Sequence, residues 1–224
     1  MEHAEFFMKF GRSTRSKNLA PSLWRRMTSG RARRRSGRKF PRPSKSGLPL
    51  EFIRLCPWES EYLFAVGRRS KVGIFETGRY NGGSAFLLAC AAPLVPIYSI
   101  DIAPKNDALV RSMFELHGVG ANVDMIVGDS QHAQYAQVKD LDLIFIDGDH
   151  TYEGCTADLN NWYGHLVPGG HVMLHDSYIG AWGVQDAILD FLAKHPELSI
   201  IMSPIIGPTY WNYPAGSIAH LMKR

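Results

Sequence analysis

The chain has 224 residues, 45% apolar and 21% charged, which suits one globular domain of ordinary size plus an appendage. No apolar run reaches the ~18 residues that span a bilayer, the longest, Ala85 to Ile100, being broken by Pro93 and Pro96. The N-terminus lacks the apolar core of a secretory signal, and Cys56, Cys90 and Cys155 contain no CxxC pair, so a cytoplasmic protein without a disulfide framework or cysteine zinc site is expected.

Charge is divided unevenly. Residues 1–50 carry 14 Lys and Arg against 2 Asp and Glu, a net of +12, while residues 51–224 carry 11 against 19, a net of −8. Residues 1–47 read as a basic arm, flexible where "SGRARRRSGRKFPRPSKSG" is too polar to offset its ordering entropy. Phe6, Phe7, Phe10, Leu23 and Trp24 among cations could form a short amphipathic helix, giving a membrane-peripheral or solvated tail. The arm could meet anionic lipid or nucleic acid. A domain over residues 48–224 follows.

From Leu48 onward, apolar runs of strand length alternate with helix-length segments. Strands are expected at Val72–Glu76, Pro96–Ile102, Val123–Val127, Leu141–Asp147 and His171–His175, with two late ones in "LSIIMSPIIG" and "GSIAHLMKR". Helices are expected at Ser84–Ala92, Pro104–His117, Gln131–Lys139, Tyr152–Leu166 and Trp182–His195. Near-continuous apolar strands imply burial on both faces. The expected fold is α/β, a doubly wound, Rossmann-like, seven-stranded and mostly parallel sheet with helices on both faces.

In such a sheet, ligands lie beyond the carboxyl ends of the strands, and five successive ends are polar. "FETGRYNGGSA" offers Gly78 for a tight turn and Gly82, Gly83 and Ser84 to open a helix toward the same cleft. It is not GxGxxG, which weakens a nicotinamide reading. Asp101 suits a ribose, and Gly128, Asp129 and Ser130 suit a purine edge. "LIFIDGDHTYEG" ends a strand in Asp147, Asp149 and His150, and "GGHVMLHD" adds His175 and Asp176. Singly, each has a plainer reading: a turn glycine, Asp101 capping a helix near Pro104, a core His175.

"FETGRYNGGSA", "YSIDIAP", "VGDS", "LIFIDGDHTYEG", "DLNNWYGHLVPGG" and "VMLHD" together resemble the motifs of class I S-adenosylmethionine-dependent methyltransferases. The resemblance is to the DGDH and HD branch, which includes bacterial O-methyltransferases of sugars and natural products. It runs from about Lys71 to Leu192 and leaves residues 1–50 outside. It implies S-adenosylmethionine as cofactor, with Glu76, Gly78, Tyr80, Gly83 and Ser84 toward the methionine end. It also implies Asp101 and Ile102 at the ribose, Gly128, Asp129 and Ser130 at adenine, and Asp147 near the sulfonium. A divalent cation would sit on Asp147, His175 and Asp176. Histidine in place of a carboxylate suits Mg²⁺ poorly and Mn²⁺, Fe²⁺ or Zn²⁺ better.

The implied reaction is O-methylation of a small-molecule or glycosyl hydroxyl. A hydroxyl needs a base, for which His150, Asp149 and His175 are the candidates. Asp149 also suits a turn before the helix near Tyr152, and His150 and His175 could share one metal or one proton. His117, His132, His165 and His171 read as surface or packing residues. The loop "GPTYWNYPAG", 207–216, could line an acceptor pocket or simply pack. A non-catalytic or hydroxylase-like member of the same fold, tethered by its arm, is the alternative. A homo-oligomer is compatible with both.

Overall fold

The computed structural model describes residues 52–132, 135–177, 183–202 and 218–224. The basic arm and the 207–216 loop lie outside them. In chain order the elements are α1 (Pro57–Gly67), β1 (Ile74–Thr77), α2 (Gly83–Ala91), β2 (Ile97–Asp101), α3 (Asp107–His117) and β3 (Val123–Val127). They continue as β4 (Leu141–Ile146), α4 (Tyr152–Trp162), β5 (Leu166–His175), α5 (Val184–Lys194), β6 (Leu198–Met202) and β7 (Ile218–Lys223). The seven strands form one sheet in the order β3-β2-β1-β4-β5-β7-β6. The first five are parallel, and β7 runs antiparallel to both β5 and β6. This is the expected doubly wound α/β sheet.

Side chains of successive strand residues enter opposite cores. Phe75, Ile144, Ile146, Val172 and Leu174 meet Leu159 and Trp162 of α4 and Ile188 and Phe191 of α5. Ile74, Leu143, Phe145 and Met173 meet Leu63 of α1, Phe86 and Leu87 of α2 and Val110 of α3. Helix α2, "GSAFLLACA", is apolar all round and buried at every position but Cys90, because it packs between the sheet and α1. Each fully buried Leu, Ile or Phe contributes about 1.5–3 kcal/mol. Burial pushes Cys90 and Cys155 up to about 12, so neither thiol is a ready nucleophile.

Three expectations are corrected. Gln131–Lys139 forms no helix among its described residues. Asn161 and Trp162 donate to the carbonyls of Ser130 and Gln131, and Asp129 accepts from the Gln131 amide, so side chains take the groups a helix would pair. Strand β5 begins at Leu166 rather than His171, since Leu166 already pairs with Leu141 before an irregularity at "VPGG". Helix α1 has no counterpart in the expected elements. Pro57 fills its N1 position, and the Glu59 carboxylate reaches back to the Cys56 amide at 2.9 Å.

Candidate functional site

Register sets the site. Thr77 pairs with Ile100 and Ile146, Asp101 with Val127, and Ile146 with Leu174, so five strand ends stand level on one edge of the sheet. Beyond β1 the chain turns at Gly78, whose φ is 81°. A Cβ there would lie 1.9 Å from the Asp147 carbonyl oxygen. Only glycine allows the β1 loop to touch the β4 loop this closely.

Gly78, Tyr80, Gly83, Ser84 and Asp147 line one cavity, together with Arg79, Asn81 and the segment Phe52, Arg54 and Leu55. Tyr80 is held at φ 46°, rare for a residue with a side chain. The Asp101 carboxylate fixes that loop, accepting from the Tyr80 amide and the Ala103 amide, both at 2.7 Å. It does not cap α3, which begins later with Asn106 as its N-cap. Ile102 beside it is 71% exposed. Gly128 donates its amide to the Asp101 carbonyl, which places the β3 end next to β2. Asp129 is already engaged by the Gln131 amide and His132, and the hydrogen bond from His132 lowers its pKa. Ser130 lies under α4, its carbonyl taken by Asn161 and Trp162.

Glu76 is fully buried, accepts from Ser99 Oγ, and has no partner on Oε1. Burial pushes its pKa up to about 7, although Ser84, Ser99 and Arg79 pull it down. A carboxyl whose folded pKa is raised stabilises the fold below its unfolded value near 4.5, and that contribution disappears as pH rises through 7. Glu76→Gln should therefore gain on the wild type by roughly 3 kcal/mol between pH 5 and pH 8 in urea unfolding of the ligand-free protein. A stability difference that does not change with pH would refute the buried-carboxyl assignment.

Arg79 lines the cavity beside Gly78 and was not singled out by the sequence, and its guanidinium is engaged by protein groups. Its guanidinium is fully buried and grips both Asp107 oxygens, at 2.9 and 3.0 Å. It also donates to the carbonyls of Ser99 and Ile126. It ties the β1 loop to β2, β3 and α3.

The β4 and β5 ends bring Asp147, His150, His175 and Asp176 together, with one ligand atom from each lying within 4.8 Å of the others. His175 Nδ1 is 2.9 Å from Asp147 Oδ1 and 3.3 Å from Asp176 Oδ2. These contacts are ion pairs by distance, yet Nδ1 meets the hydrogen-bond geometry of neither carboxylate. His150 Nε2 lies 3.4 Å from both Asp147 Oδ1 and Asp176 Oδ2. Asp176 has φ 52°, the second strained residue of this edge. Burial alone would raise Asp147 and lower both histidines. The opposite charges prevail, so Asp147 is held below the usual carboxylate range and His150 and His175 are raised. Two imidazoles and two carboxylates converging on one point suit a borderline divalent ion. Asp149 stands apart from this group. It accepts from the Thr151 amide at 2.9 Å and from Gln131 at 3.3 Å, in the turn before α4, and the Thr151 amide lowers its pKa.

Of the other histidines, His132 pairs with Asp129, His117 and His165 pack on Phe86 and Trp162, and His171 bonds His220. Nothing local marks Glu59 beyond its place three residues after Cys56 and two after Pro57.

Residues 75–177 match a family described as a methyltransferase domain. A sequence relative, an uncharacterized protein of Acanthamoeba polyphaga mimivirus, is 28% identical over 118 residues, which cover 49% of this chain and 53% of the relative. The chain therefore spans about half of that relative's length. The fold is similar to that of a candidate O-methyltransferase from Klebsiella pneumoniae, with TM-score 0.62, 18% identity, and 81% of this chain and 86% of that one covered. It is also similar to an O-methyltransferase from Bacillus cereus in complex with S-adenosylhomocysteine, with TM-score 0.59, 19% identity, and 80% and 86% covered. At these identities the structural likeness concerns the fold.

Proposed function

We infer that this chain, a class I S-adenosylmethionine-dependent methyltransferase, methylates a hydroxyl of a small-molecule or glycosyl acceptor with a divalent cation at the acceptor end. One observation carries the reading: Asp147 belongs both to the cavity at the glycine loop and to the cluster of two histidines and two aspartates. A cofactor in the first and an acceptor at the second would meet across a single side chain.

The residues fit both groups. Asp101 has lone pairs beyond the two that bind amides, and Glu76 Oε1 is a buried acceptor awaiting a donor. His175 Nδ1 is a buried nitrogen with carboxylates at ion-pair distance and no hydrogen bond. Asp147, His175 and Asp176 would hold the cation, and His150 would serve the acceptor rather than the ion. A bound cation lowers the pKa of a coordinated hydroxyl. S-adenosylmethionine, when bound, would supply the methyl group, its carbon–sulfur bond breaking as the acceptor oxygen bonds to carbon and leaving a neutral thioether. His150, not bound to the cation, would take the hydroxyl proton at Nε2. The rest of the site aligns the reactants and excludes water.

Calorimetric titration with S-adenosylhomocysteine tests the cofactor half, and no binding at millimolar ligand to folded protein would sink it. Asp101→Asn should weaken that binding about 10- to 100-fold, the worth of a charge-assisted hydrogen bond. Unchanged affinity would refute the ribose assignment.

We also propose that residues 1–47 form a basic arm on a catalytic domain of residues 48–224. Its excess of 14 cationic over 2 acidic side chains supports salt-dependent attraction to an anionic surface.

A further inference from the structure

Glu59 is 1% exposed, although it sits in the first turn of α1. Its Oε2 accepts from the Cys56 amide at 2.9 Å and lies 3.2 Å from His175 Nε2, while Oε1 has no partner. Capping α1 does not explain this burial, because the same reciprocal cap forms at a solvent-exposed turn. Burying a carboxylate costs several kcal/mol unless a partner offsets it. The partner here is His175, reached across 116 residues of sequence.

This contact decides which ring nitrogen of His175 is available. With Nε2 turned to Glu59, Nδ1 is the atom left facing Asp147 Oδ1 and Asp176 Oδ2. A histidine that binds a metal commonly donates its other N–H to a carboxylate, which fixes the ring and makes it a better ligand. We propose that Glu59 is a positioning residue of the cation site: it holds His175 so that Nδ1 is the ligand atom. The inference rests on the cation reading above, and it adds a residue that lies before the 75–177 family match.

The test is Mn²⁺ affinity, measured by calorimetry on the full-length wild type, Glu59→Gln, His175→Ala and the double variant. Glutamine keeps the cap but not the charge. Glu59→Gln should weaken Mn²⁺ binding about 10- to 100-fold, with unchanged affinity for S-adenosylhomocysteine. In the His175→Ala background the same substitution should have no further effect, because its action passes through the imidazole. Wild-type affinity in Glu59→Gln, or an equal loss in the His175→Ala background, overturns the positioning role and leaves the cation reading standing. A wild type that binds no Mn²⁺ at millimolar concentration overturns both. Should Glu59→Gln fail to fold, Glu59→Asp keeps the charge but withdraws it by one methylene. It should weaken Mn²⁺ binding too, and unchanged affinity there also overturns the proposal.

Discussion

His150→Ala should lower methyl transfer by about 10²- to 10⁴-fold, the usual worth of a positioned general base, and should leave affinity for S-adenosylhomocysteine unchanged. The measurement is turnover on a hydroxyl acceptor found by screening glycosides and phenols, with cofactor binding followed separately. Three residues of the β4 and β5 ends could take the acceptor proton, and their surroundings separate them. Asp149 is tied into the turn before α4 by the Thr151 amide, which lowers its pKa and makes it a weak base. His175 has Nε2 against Glu59 and Nδ1 among carboxylates. His150 is partly open, with 29% side-chain exposure, and its pKa is raised by Asp147 and Asp176 against the opposing effect of burial. A raised value means that the free base appears only above the ordinary histidine range. Turnover of the metal-free protein, where it is measurable, should therefore climb with pH through a midpoint above 6.5. Asp149→Asn, which preserves the turn, should keep most of the activity. Normal turnover in His150→Ala, or its loss in Asp149→Asn, would move the base to another residue.

Arg79→Ala should cost about 3–5 kcal/mol of stability, the loss seen when one partner of a buried ion pair is removed. For a domain of this size that lowers Tm by roughly 6–20 °C. The guanidinium is fully buried, and Asp107 is 26% exposed. Deleting the guanidinium strands a carboxylate and the carbonyls of Ser99 and Ile126. Arg79→Lys should recover little, because a single ammonium cannot grip both Asp107 oxygens and reach two strands. Thermal unfolding monitored by circular dichroism checks both variants. A loss under about 1 kcal/mol would mean that the ion pair only offsets its own desolvation.

The order of strands and helices was legible because burial on both faces leaves apolar runs that need no context to recognise. The level edge of polar strand ends followed from the same pattern. What escaped depends on contacts between distant residues. Arg79 sits inside a quoted motif, but nothing local says whether an arginine there faces a ligand or Asp107. Glu59 matters through His175, and no spacing rule joins α1 to the end of β5. Gln131–Lys139 has a helix-compatible composition, and tertiary hydrogen bonds from Asn161 and Trp162 override it. His150, expected as a base or as sharing one metal or proton with His175, does stand with His175 beside the same two aspartates.

The contact between Gly78 and the Asp147 backbone has a thermodynamic consequence. One loop lines the cavity at the β1 end, the other carries a shared aspartate, and no side chain separates them. Anything that orders one loop lowers the entropic cost of ordering the other. Cofactor and cation should then bind with reciprocal coupling: whatever factor Mn²⁺ adds to the affinity for S-adenosylhomocysteine, S-adenosylhomocysteine adds to the affinity for Mn²⁺.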